Sequence, residues 1–339
     1  IMPTLGDFDI DAEKRKSSYS LQVASPGHYK TKLDRYGSFA EMTLTDHTAL
    51  HQYYFQDGWA HISVDLSTAP PDLRGGMIRF NGPMEIMGYT YQRNGDENER
   101  QRVWFVVQFD RTAMDGGLYE NKRLMPEETA IIEGENIGAY FSFRTLEAGA
   151  IHAKIALSEN SLEEAYEYLQ LEQQAWSFAL LRQRAREAWK NELSNILVHG
   201  GTDALKKTFY TSLYRTFLNR TKIVNDSAST GMMTTDVPAF LKEQYCKTEY
   251  NSPMANFTAN DAVSGRAART IRNAVEQYSR TPQQPAAIVW GMLGLLPSCA
   301  EDDYFVLPPL FQHSEIKLPG ESSLVIDTQN FSTNASNVK

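Results

Sequence analysis

Cysteine is scarce in this chain, because its 339 residues include only Cys246 and Cys299. Two thiols cannot form the multi-bridge framework of a small secreted domain or a four-thiolate zinc site, although they allow one disulfide. Long hydrophobic runs are missing as well. The longest, from Ala286 to Leu296, is too short to cross a bilayer and predicts a buried helix. We therefore expect no membrane span.

Basic charge is in deficit, with 33 lysines and arginines against 42 aspartates and glutamates and a net charge of −9. A nucleic-acid binder needs a basic face that neutralises phosphates and releases counterions. We therefore expect no nucleic-acid partner. The hydrophobic content of 42% is ample for folded domains with buried cores and differs from the composition of a disordered chain.

Familiar catalytic and metal-binding motifs are also missing. The chain has no phosphate-cradling glycine loop, no nucleophile elbow and no HExxH pair. The alternating aspartates from Asp7 to Asp11 resemble the opening of an EF-hand loop. However, Ala12 and Ser18 stand where that loop requires glycine and glutamate. We therefore do not assign a calcium site to this segment.

Three histidines, His47, His51 and His61, lie on adjacent predicted strands and are the other candidate metal ligands. No carboxylate or cysteine completes a ligand pattern with them. We interpret them as surface or partly buried strand histidines. The sequence therefore predicts no metal site.

Short segments rich in alternating, β-branched and aromatic residues run from Tyr29 to Leu157, separated by clusters of Gly, Pro, Asp and Asn. In one of them Ile62, Val64 and Leu66 alternate with polar residues. Repeated short strands at this spacing predict an antiparallel β-sandwich. We assign it to residues 1–158.

The hydrophobic period changes at Ser161, where Ser161 and Glu164 have the spacing of a capping box that begins a helix. Apolar residues at helical spacing continue to Ile196, which predicts two amphipathic helices, or one broken helix, ending at Gly200 and Gly201. We assign a helical linker to residues 159–200, a shortened α-helical domain to 201–300 and C-terminal β-strands to 301–339. The predicted fold class is α+β with several domains.

Exposed aromatic rings can stack on sugars, but Trp176 and Trp189 occupy helical positions that favour the core. We therefore expect both tryptophans to be core residues. The next predicted helix carries four apolar residues at intervals of four, which also form a core side: Leu205, Phe209, Leu213 and Phe217.

Five N-glycosylation sequons cluster after residue 218, at Asn219, Asn225, Asn256, Asn330 and Asn334. This clustering is typical of a secreted glycoprotein, although the same residue types are common in polar loops. No signal peptide is visible, and the start of the sequence leaves its presence open. We predict a secreted or extracellular protein.

Several strings occur in the order and spacing of one protein family: IMPTLGD, VASPGHYKTKLDRYGSFAEMTLTDHTALHQYYF, EIMGY, VWFVVQF, GAYFSF, AWKNELSNILVHGG and KKTFYTSLYRT. They resemble glycoside hydrolase family 92, whose members are mostly calcium-dependent exo-α-mannosidases. The tail, MLGLLPSCAEDDYFVLPPLFQHSEIKLPGESSLVID, is similar to the C-terminal stretch of that family. The resemblance implies an N-terminal β-sandwich, a helical linker and an (α/α)₆ barrel that holds the active site.

The catalytic positions that the resemblance implies are degenerate here. Ser252 stands where the family's acid glutamate is expected, and Ala255 and Asn256 stand where histidines are expected. No carboxylate lies between Glu276 and Glu301, where the family's base is expected. Glycoside hydrolysis needs a carboxylic acid and a second carboxylate, which neutral side chains cannot replace. We therefore expect no catalytic residue in this chain.

The chain is also shorter than the family pattern, so most barrel helices have no counterpart between Thr216 and Val237. We expect a remnant of the (α/α)₆ barrel that cannot close. The family's calcium is implied by the resemblance alone, and the sequence offers no ligand set for it.

Three hypotheses follow. The first is a secreted, non-catalytic binding or structural module related to the α-mannosidases, with carbohydrate as its partner. The second is an active exo-α-mannosidase whose catalytic segments are absent from this chain. The third is a subunit of a larger extracellular protein assembly, in which a partner covers the face left by the missing barrel helices.

Overall fold

The structure is a computed structural model that describes residues 1–70, 73–94, 99–127, 129–146, 149–218, 236–248, 266–277, 285–299, 303–329 and 331. Residues 1–189 and 190–339 form two compact units. No helix within the described ranges combines the length and the hydrophobicity needed to cross a bilayer. The predicted glycosylation sites Asn219, Asn225, Asn256, Asn330 and Asn334 lie outside the described residues.

The first unit is built mainly from strands, with one 3₁₀ turn at Ala12–Arg15. In chain order the strands are β1 (Met2–Leu5), β2 (Tyr19–Ser25), β3 (His28–Leu33), β4 (Ser38–Leu44), β5 (Thr48–Tyr54), β6 (Gly58–Asp65), β7 (Gly76–Phe80), β8 (Glu85–Asn94), β9 (Glu99–Phe109), β10 (Asp115–Glu120), β11 (Arg123–Leu124), β12 (Ile131–Gly134), β13 (Ile137–Thr145) and β14 (Ala150–Ser158).

Helices and shorter strands follow the last of these. They are α1 (Leu162–Glu172), α2 (Phe178–Leu193), β15 (Ile196–His199), α3 (Asp203–Leu218), α4 (Val237–Thr248), α5 (Arg266–Gln277), α6 (Pro285–Leu293), β16 (Leu295–Pro297), β17 (Tyr304–Val306), β18 (His313–Lys317) and β19 (Ser323–Asp327).

The strands of the first unit form two antiparallel sheets that share one core. The five-stranded sheet has the order β1-β6-β13-β10-β11, and the nine-stranded sheet has the order β12-β7-β8-β9-β14-β5-β4-β3-β2. Ile62 and Phe141 from the first sheet pack with Tyr53 and Phe109 from the second. The predicted antiparallel β-sandwich is therefore confirmed, and its inner faces supply the hydrophobic core.

Two strands, β1 and β2, precede Tyr29, where the alternating segments noted in the sequence begin. Strand β1 spans four residues and contains Pro3, so it carries little periodic signal. Strand β2 has a break in register between Ser20 and Val23, which interrupts its alternation. These two strands form the outer edges of the two sheets.

Helix α1 packs on the outer face of the nine-stranded sheet. Its N-cap Ser161 accepts a hydrogen bond from the Glu164 backbone amide, with a length of 3.1 Å. The Glu164 carboxylate bonds to Ser158 and Asn160 instead of returning to the Ser161 amide. Only half of the predicted capping box is therefore formed, yet the helix begins where the sequence predicts.

Two helices, not one broken helix, follow the sandwich. Helix α2 ends at Leu193, and Ile196 lies in strand β15, which pairs with β18. The prediction that the helical pattern extends to Ile196 is therefore wrong. Ile196 follows Leu193 by three residues, which continues a helical spacing, and its strand partner on β18 is more than 100 residues away in sequence.

The second unit has a helical core. Phe209 and Leu213 of α3 are fully buried, and Phe209 packs edge-on against Phe311 at 5.3 Å between ring centroids. Every residue of α6 from Ala286 to Leu293 is buried, which confirms the buried helix predicted from the longest apolar run. Strands β18 and β19 pair as a hairpin within the predicted C-terminal β-strands, and β16 pairs with β17. The four-part domain division stays a prediction.

Candidate functional site

The position where the resemblance implies a catalytic acid, Ser252, lies outside the described residues. Ala255 and Asn256 lie outside them as well, whereas the candidate histidines, the aspartates of the EF-hand-like segment and the two tryptophans fall on described segments. They do not come together in one pocket.

The three candidate histidines are separated by the fold. His51 lies on β5 in the nine-stranded sheet, whereas His61 lies on β6 in the five-stranded sheet. The expectation that they occupy adjacent strands is therefore wrong. His47 precedes β5 and bonds through Nδ1 to Glu172 at 2.7 Å. In the described part of the chain, no three His, Cys, Asp or Glu side chains are arranged to hold a metal ion.

The segment with EF-hand-like spacing is held by local hydrogen bonds. Asp11 caps the 3₁₀ turn by accepting from the Glu13 amide at 3.1 Å. Its other carboxylate oxygen accepts from Lys122 Nζ at 2.8 Å, and this bond lowers the pKa of Asp11. Asp9 accepts from the Asp11 amide at 2.9 Å. These carboxylates therefore organise a turn.

A cavity of about 760 Å³ lies beside this turn, within the first unit. Its wall includes Arg15, Asp65 and Tyr119. Arg15 Nη2 donates to Asp65 Oδ2 at 2.7 Å, and the Tyr119 hydroxyl donates to the same oxygen at 3.0 Å. Burial and the adjacent Asp65 carboxylate raise the pKa of Tyr119. The carboxylate is thus held by a guanidinium and a phenol and is not free to act on a bound sugar.

Sequence reasoning did not identify this network. Arg15 belongs to the charged run Ala-Glu-Lys-Arg, which has the composition of a solvated turn. Its partners lie 50 and 104 residues away in sequence. No local pattern marks it, because a buried arginine is identified only by its long-range partners.

The carboxyl groups whose pKa values are shifted in this structure all have lowered values. Four described carboxyl groups have pKa values that depart from the ordinary range, and all four are lowered: Asp11, Asp110, Glu164 and Glu172. Burial opposes the ionisation of Asp110, but hydrogen bonds from His152 and Arg111 outweigh it and bring its pKa to about 2. A glycosidase acid needs the opposite shift, because it must hold a proton at neutral pH.

Two carboxylates, Glu41 and Glu85, are buried within the described part of the chain, and both have several partners. Glu41 lies 2.8 Å from His28 Nε2 and 3.6 Å from Lys30 Nζ. Glu85 accepts hydrogen bonds from neighbouring amides and from a tyrosine hydroxyl. Neither carboxylate faces a second one across an open hollow. Both carboxylates are therefore occupied by protein partners.

The two tryptophans have different environments. Trp189 is half-buried against the turn at Gly27, where an added Cβ would lie 3.2 Å from Trp189 Cδ1. Trp176 lies between α1 and α2, is 37% exposed, and has the Lys154 ammonium 4.3 Å from its ring centroid. The prediction that Trp176 is a helical core residue is therefore wrong, because the helical pattern is interrupted between Glu172 and Phe178.

The two cysteines form a disulfide. Cys246 on α4 bonds to Cys299 after β16, with 5.5 Å between the Cα atoms. The bridge lies within the second unit and closes a loop of 53 residues. Disulfides persist mainly in oxidising compartments.

Family models identify the chain. The N-terminal domain model of glycosyl hydrolase family 92 matches residues 1–158, and the catalytic domain model of the same family matches residues 164–261. The chain therefore belongs to glycoside hydrolase family 92. Its sandwich, few helices and C-terminal strands fit the predicted fold class with a remnant of the (α/α)₆ barrel. The similarity of the tail remains a prediction.

Individual relatives agree with this assignment. An uncharacterized secreted glycosidase of Arthroderma benhamiae is 26% identical over 258 residues, which cover 64% of this chain and 33% of that protein. The structure of a family GH92 α-mannosidase from Bacteroides thetaiotaomicron matches with a TM-score of 0.57 and 23% identity, over 63% of this chain and 31% of that one. The structure of an inverting GH92 mannosidase from the same organism matches with a TM-score of 0.57 and 24% identity, over 63% of this chain and 29% of that one.

Because the sequence identities to these structures are below 25%, the similarities establish the fold alone. The chain spans about a third of the length of the relatives it matches.

Proposed function

We propose that this chain is a secreted, α-mannosidase-like module that binds carbohydrate without hydrolysing it. The observation that carries the proposal is the state of its carboxyl groups. Every described carboxyl whose pKa is shifted is shifted down. At the wall of a sugar-sized cavity, Asp65 is paired with Arg15, Asp11 with Lys122 and Glu13 with Lys16.

Hydrolysis of a glycoside requires two carboxyl groups with different roles. One stays protonated to donate to the leaving oxygen, and the other ionises to activate water or attack the sugar. The sequence contributes a second argument, because no carboxylate lies between Glu276 and Glu301 and Ser252 replaces the expected glutamate. Serine cannot hold and release a proton at the required pKa.

Secretion is supported by independent features. The disulfide between Cys246 and Cys299 suits an oxidising compartment. The five sequons are glycan acceptors only in a protein that enters the secretory pathway. A relative of the same family is described as a secreted glycosidase.

A transition-state mimic tests the proposal. Mannoimidazole, which is bound in the structure of a family GH92 α-mannosidase, has a fused ring that flattens the sugar as in an oxocarbenium-like transition state. Active enzymes bind such mimics at least about 10²-fold more tightly than the ground state. We expect calorimetry with calcium present to give mannoimidazole and mannose affinities within about tenfold of each other. A preference of about 10²-fold or more would contradict the proposal.

A second candidate is α-mannoside hydrolysis by a longer protein that includes this chain. The match of the catalytic domain model to residues 164–261 favours it. The intact mass of the natural protein after glycan removal separates the two candidates. A mass near 38.4 kDa supports the non-catalytic module, and a mass far above it supports the longer enzyme.

An exposed apolar side of α3 would favour the third hypothesis, a subunit of a larger assembly. Phe209, Leu213 and Phe217 are instead buried within the second unit. Helix α6 packs on this helix, and Phe217 also contacts Phe240 at 5.9 Å between ring centroids. No observation therefore favours this hypothesis over the first.

A further inference from the structure

A row of three side chains crosses the small antiparallel sheet of the second unit, whose strand order is β15-β18-β19. Strand register places His199 of β15 opposite His313 of β18, and His313 opposite Asp327 of β19. Val198 and Ser314, the chain neighbours of the two histidines, are buried on the other face of the sheet. His199, His313 and Asp327 therefore lie on its outer face, and we call them the histidine row.

The two imidazole rings of the histidine row lie side by side. Their centroids are 5.6 Å apart, and the ring planes are inclined by 46°. Two imidazoles that share one metal ion at metal–nitrogen distances of about 2.0–2.1 Å have centroids about 4.5–5.2 Å apart, for right-angled to tetrahedral coordination. Rotation of the side chains therefore suffices to bring one nitrogen of each ring to a common ion, and the paired strands need not move.

Both rings keep a nitrogen that is available to a ligand. His313 Nδ1 lies 2.7 Å from Asp327 Oδ1, and because an ionised carboxylate only accepts, Nδ1 is the donor and Nε2 keeps its lone pair. In the parts of the chain that the structure describes, nothing bonds to His313 Nε2 or to the His199 ring. His199 is exposed and the His313 side chain is 37% exposed, so ions in solvent can reach both rings.

Asp327 prepares His313 as a ligand. A histidine that binds a metal usually donates its other N–H to a carboxylate, which fixes the tautomer and the orientation of the ring. Asp327 accepts this bond from His313. Glu315 lies two residues from His313 along β18, and therefore on the same face, where it adds a second negative charge. Both carboxylates favour the approach of a cation.

We propose that His199 and His313 together bind a divalent transition-metal ion of the class that prefers imidazole, such as Zn²⁺. The two ring nitrogens are the protein ligands, and water completes the coordination. Asp327 acts through His313 as a positioning residue. Calcium prefers oxygen ligands, so this site differs in chemistry from the calcium that the family resemblance implies. The proposal does not depend on carbohydrate binding.

An ion at this site would clasp two strands that are far apart in sequence. Strands β15 and β18 pair directly, although more than 100 residues separate them along the chain. A cross-link that closes so long a loop restricts the unfolded chain. An ion that binds only the folded form also stabilises it in proportion to its affinity and concentration. Zinc should therefore protect β15 and β18 from hydrogen exchange.

Calorimetric titration of Zn²⁺ into the untagged full chain tests the site, at slightly alkaline pH where imidazole is neutral. The variants His199→Gln and His313→Gln each remove one ligand, and Asp327→Asn removes the positioning carboxylate. His47→Gln is a matched control. His47 is also exposed, and its Nδ1 also lies 2.7 Å from a carboxylate, but its ring stacks on Tyr168 instead of a second imidazole.

We expect the wild-type chain to bind Zn²⁺, and excess Ca²⁺ not to compete. His199→Gln and His313→Gln should each weaken the affinity about tenfold or more, since loss of a ligand costs at least as much as loss of an outer-shell partner. Asp327→Asn should weaken it by about tenfold or less, because Asp327 is 72% exposed. His47→Gln should leave it unchanged.

Electron paramagnetic resonance of the chain loaded with one equivalent of Cu²⁺ counts the nitrogen ligands directly. The wild type and Asp327→Asn should show two nitrogen donors, whereas His199→Gln and His313→Gln should show one. Thermal unfolding without metal monitors the folding of each variant.

Three results would overturn the proposal: no Zn²⁺ binding by the wild type, binding that neither His199→Gln nor His313→Gln weakens, or equal weakening by His47→Gln and His313→Gln. A Cu²⁺ spectrum that is the same for the wild type and His199→Gln would also overturn it. Sugar release or tight mannoimidazole binding, which contradicts the proposed function, has no bearing on these outcomes.

Discussion

Arg15 Nη2 lies 2.7 Å from Asp65 Oδ2, and the side chains are only 3% and 10% exposed. Arg15 also donates to the carbonyl of Asp9 at 3.1 Å and to the Tyr119 hydroxyl at 3.3 Å. The guanidinium thus joins the turn after β1 to strands β6 and β10 of the five-stranded sheet. Opposite charges this deeply buried depend on each other, because either one alone would be uncompensated.

Replacing Arg15 with methionine should strongly destabilise the first unit. Removing one partner of a buried pair typically costs about 3–5 kcal/mol, because the remaining charge is left unpaired. Urea unfolding of Arg15→Met measures this. The control is Lys14→Met, whose exposed pair with Asp9 should contribute less than about 1 kcal/mol. Equal effects of the two substitutions would show that the Arg15 network does not support the fold.

Gly27 should be required for the docking of α2 on the β2–β3 turn. Its φ is +75°, and an added Cβ would lie 2.8 Å from the Cβ of Ala185. Gly82 is a matched control, because its φ is +78° and the space around it is open. We expect Gly82→Ala to cost about 1–2 kcal/mol from backbone strain alone. Gly27→Ala should cost about 1–3 kcal/mol more through overpacking.

The measurement is the free energy of unfolding of both glycine variants under the same conditions. If the two variants lose equal stability, the contact with Ala185 does not constrain the turn.

The Cys246–Cys299 disulfide should stabilise the second unit. Closing a loop of 53 residues lowers the entropy of the unfolded chain and is worth about 4 kcal/mol in the chain-entropy model. Hydrogen exchange of α4 and β16 should accelerate in reductant. The variant Cys246→Ala/Cys299→Ala should exchange equally fast with and without reductant. Unchanged protection of the wild-type chain in reductant would refute a stabilising bridge.

His51 should make the fold sensitive to acid. Burial lowers the pKa of His51 to about 4 from its ordinary value near 6.5. The unfolded chain therefore binds the proton more tightly, and stability falls as the pH decreases from 6.5 towards 4. Between pH 7 and pH 4.5, His51→Gln should lose about 2–3 kcal/mol less stability than the wild type. Urea unfolding at the two pH values measures the difference, and identical losses would contradict it.

Much of the fold follows from local patterns. Alternation places Ile62, Val64 and Leu66 in the core, and the apolar run from Ala286 to Leu293 forms a buried helix. These elements are read correctly because their period and burial agree over several consecutive residues. Spacing also identifies the helix cap at Ser161.

Features that depend on distant partners were not predictable in this way. Strand β15 exists because β18 pairs with it from the end of the chain. Trp176 is exposed because the helical segment is interrupted at that point, which its apolar neighbours do not reveal. The Arg15 network becomes visible only when the chain is folded, since its partners lie 50 and 104 residues away in sequence. Long-range pairing, not local propensity, therefore determines the candidate site.

Release of mannose tests the central claim most directly. The full chain, with a verified intact mass, is incubated with α-linked mannobiose and yeast mannan in calcium and, separately, in a chelator, and free mannose is quantified over time. The account predicts no release above the buffer blank in either condition, because the proposed module lacks the acid and the second carboxylate that glycoside hydrolysis requires. Sustained, enzyme-proportional release that the chelator abolishes would contradict it.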